Sequence, residues 1–163
     1  MPSTSDTGLT AAELIRLELD GKNVALGRYD SILWKIRSGY VVVLYGSLSL
    51  LFGKVAEKGI EIAALDIKTL LLMSGFSLLA YSMDLTFRIR QLRVVDAKNL
   101  LSDQAVKLVS GESIDATVLR ELLHIAGESR GRLTIGAAMR AALLILLFYA
   151  ATPTMIAIMH LTR

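Results

Sequence analysis

Residues 141–162 read AALLILLFYAATPTMIAIMHLT, 22 positions without a single Asp, Glu, Lys or Arg. A bilayer hydrocarbon core about 30 Å thick needs about 20 helical residues of this kind, so the stretch predicts a membrane-crossing helix. Two further charge-free windows lie upstream, at 38–53 (16 residues) and 69–83 (15 residues). Each reaches spanning length once flanking charges are held at the interfaces: 38–56 with Lys54 snorkelling outward, and 62–85 with Asp66, Lys68 and Asp84 near the boundaries. Runs of 15 or 16 apolar residues also suit core helices of a soluble bundle. Tyr40-Val-Val-Val-Leu-Tyr45 and Leu70-Leu-Leu-Met73 show no polar face, however, and that favours lipid. The first apolar run starts near residue 38, too late for a signal peptide.

Composition agrees. Of 163 residues, 53% are apolar before the 12 glycines are counted, against roughly 45–50% with glycine in soluble domains. Cysteine is absent, which excludes disulfides, thiol nucleophiles and thiolate metal sites. With three spans, segments 1–37 and 84–140 share one side of the membrane and carry fourteen Lys and Arg, while 54–68 and the tail carry four. The positive-inside rule then predicts a multi-pass protein of the inner, cytoplasmic membrane with its N-terminus and long second loop inside and its C-terminus outside. Trp34, Lys35 and Arg37 form the aromatic and basic anchor before the first span.

The expected architecture is therefore an all-α membrane protein: an amphipathic N-terminal segment (1–37), two spans (38–87), a cytoplasmic helical hairpin (88–132) and a third span (133–163). Thr10-Ala-Ala-Glu13 has the spacing of a capping box, predicting a helix to Leu19. Asp20-Gly21 offers a break before a second segment, 23–37. The N-terminal piece has two readings, lying along the inner leaflet or packing against the cytoplasmic loop. No Gly or Pro occurs between Phe76 and Gly111, so the second span continues as a stalk striped by Val94, Ala97, Leu101, Ala105 and Leu108. Ser110-Gly-Glu-Ser113 is a turn signal before a second hairpin helix over 114–126.

Gly39, Gly46 and Gly53 recur every seven residues with Ser49 between, a small face suited to close helix approach, either within the chain or with a second copy. Pro153 should kink the third span. Asp84 is the acidic residue nearest a membrane core; it suits either an ion pair with Arg88, one turn on, or a charged ring at a pore mouth. His124 and His160 stand far apart, and no phosphate-loop, dinucleotide, zincin or nucleophile-elbow pattern occurs, so no enzyme activity, cofactor or metal is expected. The net charge of +3 sits at membrane edges, where topology and anionic lipid account for it and nucleic acid is not implied.

Arg28-Tyr-Asp30, Trp34-Lys-Ile-Arg37 and Gly39, with the order of parts over residues 10–110, resemble SLATT-type proteins, small two-span effectors of bacterial nucleotide-signalling and antiphage systems. The third apolar segment is additional to that pattern. The resemblance implies an oligomeric, membrane-perturbing effector activated by a partner. Three thin spans enclose no water path alone, so a pore requires homo-oligomers in the bilayer, gated through the cytoplasmic helices. The alternative is a non-conducting anchor or scaffold that docks a cytosolic protein through residues 88–132.

Overall fold

The computed structural model describes residues 10–58, 67–112, 117 and 135–161, with the side chains at 51, 52, 54–58 and 159–161 left aside. These residues are all-helical: α1 (Ala11–Lys58), α2 (Ile67–Val109) and α3 (Ile135–Leu161), with no strand among them. Of the expected helix over 114–126 only Thr117 is described, and it is helical; His124 lies outside the described residues, and His160 is placed in α3 by its backbone alone.

The start of α1 follows from its first four residues. The Glu13 amide donates to the Thr10 hydroxyl at 3.3 Å, while the Thr10 amide and hydroxyl both donate to Glu13 Oε2 at 2.8 Å. This reciprocal pair is the capping box expected from the sequence, and it satisfies donors that the first helical turn otherwise leaves without partners. The two donors, the backbone one chiefly, hold the Glu13 carboxyl below its ordinary range.

From there α1 runs unbroken for 48 residues, and the break expected at Asp20-Gly21 does not occur. One glycine costs a helix only about 1 kcal/mol relative to alanine. Lys22, almost fully buried, reaches back to Glu18 at 2.8 Å and ties the turn that contains Gly21. The end of α2 is fixed as locally as the start of α1. Gly111 adopts φ +76°, its amide donates to the Leu108 carbonyl at 3.3 Å, and the Glu112 amide donates to the Lys107 carbonyl at 3.0 Å. These two bonds form a Schellman motif, and the left-handed residue it requires is a glycine.

The chain forms two compact units. One comprises Met1–Tyr29 and Arg90–Leu133. In it Ile15 and Lys22 of α1 and Val94, Ala97 and Leu101 of α2 are buried, and Leu19 packs on Ala97 and Leu101. Of the predicted stalk stripe, Val94, Ala97 and Leu101 are thus buried and Ala105 and Leu108 are half-buried.

The other unit comprises Asp30–Ile89 and Thr134–Arg163. Its interior takes Tyr40, Leu44 and Leu48 from α1, Met73, Ser77, Ala80 and Asp84 from α2, and Ile145, Tyr149, Thr152 and Ile156 from α3. The α2 and α3 sets both step by four, three and four residues, the seam spacing of helices packed side by side. The outer faces are no more polar than the interior. Val42, Val43 and Leu50, Leu71, Leu72, Leu78 and Leu79, and Leu143, Leu144, Leu146 and Leu147 all stand exposed. Helices α2 and α3 each carry a stretch long and apolar enough to cross a membrane. The charge-free stretch of α1, 38–53, ends in Leu51, Phe52 and Gly53, and the first two of these side chains fall outside the described residues.

Candidate functional site

Asp84 exposes none of its surface. A carboxylate withdrawn from water is costly unless its oxygens are hydrogen-bonded and its charge is met. Both conditions are fulfilled here by the other two helices of its unit. Arg37 Nε donates to Oδ2 at 2.7 Å and Nη2 to Oδ1 at 3.0 Å, a bidentate fork from α1. The Tyr149 hydroxyl of α3 donates to Oδ2 at 3.0 Å. The guanidinium fork matches the carboxylate plane in a way a lysine does not. Arg37 itself is 40% exposed, so the pair has one sealed end and one open end.

A second set of bonds, next to the first, repairs a defect in α3. Pro153 has no amide hydrogen, so the carbonyl four residues earlier, on Tyr149, lacks its helical donor. The Tyr40 hydroxyl of α1 donates to that carbonyl at 3.1 Å. Tyr40 has one hydroxyl hydrogen, and it is used there; the 2.9 Å contact between Tyr40 and Ser77 is therefore a bond from the Ser77 hydroxyl to Tyr40 Oη. The tyrosine rings meet edge to face with centroids 4.6 Å apart, and Phe76 stacks on Tyr40 at 5.7 Å. Nearer the far end of α3, the Tyr45 and Thr152 hydroxyls meet at 3.4 Å. Exposed hydroxyls on the outer faces are satisfied within their own helices: Ser47 donates to the Val43 carbonyl at 2.6 Å and Thr86 to the Ser82 carbonyl at 2.7 Å. That is how an exposed hydroxyl finds an acceptor without leaving its own helix.

Beside the Asp84 cluster opens a cavity of ≈ 420 Å³, lined by Arg37, Asp84 and Arg88 and walled by Leu144, Ile145 and Phe148 of α3. Arg88, the i,i+4 neighbour expected to meet Asp84, lines this cavity from one turn along α2. The carboxylate's bonds to Arg37 and Tyr149 had no counterpart in sequence spacing, since they join residues 47 and 65 positions apart.

The other predicted positions fall as follows. Trp34 is 73% exposed and Lys35 is exposed beside it, while the neighbouring Ser38 hydroxyl donates to the Trp34 carbonyl at 2.8 Å. Gly39, Gly46, Ser49 and Gly53 are all exposed, and a Cβ added at any of the three glycines would meet nothing within 4 Å. Among the described residues the small face of α1 is thus open rather than packed. Pro153 sits inside a helix that continues on both sides of it. Comparison with protein-family models, with curated proteins and with solved structures finds no match for this chain.

Proposed function

We propose that this is a three-span integral membrane protein, N-terminus inside and C-terminus outside, whose copies assemble into a pore or membrane lesion. The observation that carries the reading is the inverted distribution of side chains in the Asp30–Ile89 and Thr134–Arg163 unit. The polar groups Asp84, Ser77, Tyr40 and Thr152 are buried and each is hydrogen-bonded to a group on another helix, while large aliphatic residues cover the outside of all three helices. Soluble proteins do not present contiguous apolar surfaces of that extent, and a bilayer requires them. The charge-free stretch of α1 joins α2 and α3 as the third span in this reading.

Assembly is needed because the interior of one chain is filled. Tyr40, Tyr149, Leu44, Leu48 and Met73 are buried together between the three helices. The exposed Gly39, Gly46, Ser49 and Gly53 face supplies a surface on which a helix of another copy can approach closely. Gly46→Leu is expected to abolish the native assembly, read as the mass of the intact complex in lipid, and to abolish dye leakage from vesicles. A wild-type chain that is strictly monomeric in bilayers and leaves vesicles sealed would remove the pore.

A second reading, a non-conducting anchor for a cytosolic partner, draws on the other unit. Leu17, Val24, Val106 and Val109 stand exposed there, more aliphatic surface than a freestanding helix pair needs. A stoichiometric protein that co-purifies through residues 88–132, without any conductance in planar bilayers, would favour it. A role in antiphage defence follows from the SLATT resemblance alone, and the test is protection of cells from phage that is lost with Gly46→Leu.

A further inference from the structure

The cavity beside Asp84 combines two chemistries that few ligands match at once. Its wall holds two guanidiniums, Arg37 and Arg88, beside one carboxylate, Asp84. The remainder of the wall is aliphatic and aromatic: Ala141, Leu144, Ile145 and Phe148. Asp84 is no obstacle to an anion, because its charge is already met by the Arg37 fork and its Oδ2 also accepts from Tyr149. The fork uses two of the five N–H groups of Arg37, and the side chain remains 40% exposed. At ≈ 420 Å³ the cavity lies within the usual range of small-ligand sites, about 300–1,000 Å³. Free phosphate would meet the guanidiniums and leave the apolar wall uncovered; a zwitterionic lipid would cover the wall and bring its own cation to the arginines.

We propose that this cavity binds one anionic phospholipid of the inner leaflet, with its phosphate against Arg37 and Arg88 and one acyl chain along Leu144 and Phe148. The site rests on the membrane reading above, which puts Arg37 and Arg88 at the cytoplasmic boundary, where anionic headgroups lie. Its position makes the lipid a third component of the Arg37–Asp84 pair: a headgroup drawn to the open end of Arg37 holds the fork in place from outside.

The test uses the full chain extracted in mild detergent, supplied with equal amounts of phosphatidylglycerol and phosphatidylcholine, and examined by native mass spectrometry. The wild type is expected to retain one phosphatidylglycerol per chain in preference to phosphatidylcholine. Arg88→Gln is expected to cut that retention roughly fivefold, the effect of one basic residue near an anionic surface. Ala141→Phe, which fills the cavity and leaves both arginines in place, is expected to remove it. Inorganic phosphate at millimolar concentration should not displace the lipid. Equal retention of the two lipids, retention unaltered in both variants, or displacement by inorganic phosphate would each overturn the site and leave the membrane reading standing. Recovery of the chain from the aqueous fraction without detergent would overturn both.

Discussion

Tyr40 and Pro153 are 113 positions apart and explain one another. A proline in the middle of a helix leaves a carbonyl without a donor, and in a hydrocarbon environment no water replaces it. Here the Tyr149 carbonyl takes the Tyr40 hydroxyl instead. Tyr40→Phe should therefore destabilise the folded chain by about 1–3 kcal/mol, the cost of a buried acceptor left without a donor. The same change made in a Pro153→Ala background, where the helix supplies its own donor, should cost clearly less. Unfolding midpoints of the four proteins in micelles measure the coupling, and strictly additive effects would contradict the pairing. The Arg37–Asp84 pair makes a similar prediction with a larger magnitude. Arg37→Met leaves Asp84 sealed with a single neutral donor, and a loss of about 3 kcal/mol is expected, at the lower end of the range for breaking a buried pair because Arg37 is partly solvated. Asp84→Asn combined with Arg37→Met should recover much of that loss.

At the level of the helices, ends were legible and middles were not. The Thr10–Glu13 box and the Gly111 terminus are written in four or five consecutive residues, and the helix begins and ends where that chemistry dictates. The unbroken course of α1 through Gly21 was hidden, because an isolated glycine is a weak local penalty that the burial of Ile15 and Lys22 outweighs. The burial of Asp84 was hidden for a different reason: spacing along one helix proposes only the neighbour one turn away, Arg88, whereas the bonds come from two other helices. One signal was available in the sequence. The proline at 153 orphans the carbonyl of 149, so some donor on a neighbouring helix had to face that turn. The capping box also carries a pH dependence. Glu13 is held below its ordinary range in the folded state, so its contribution is fully present above the unfolded value of about 4.3 and is lost as pH falls through the lower folded value. Amide exchange at residues 11–14 should accelerate over that acidic interval relative to the intrinsic rate, and Glu13→Gln should flatten the response.

For the whole molecule, the absence of cysteine makes topology directly measurable. Ser110→Cys lies at the exposed end of α2, and in intact cells it should resist a membrane-impermeant maleimide and react only after the inner face is opened. Reaction from outside would reverse the proposed orientation. In the proposed three-span reading, the Tyr40 bond to the Tyr149 carbonyl also bears on how the chain would enter a membrane during synthesis. The ribosome completes α1 long before α3, so the hydroxyl that α3 needs is already installed when its proline-bearing stretch reaches the translocon. An α3 arriving alone carries an exposed backbone acceptor into hydrocarbon and is a poor independent passenger. In that reading, lateral release of α3 is conditional on docking against α1, and a chain lacking the Tyr40 hydroxyl should stall there and become a substrate for membrane proteases.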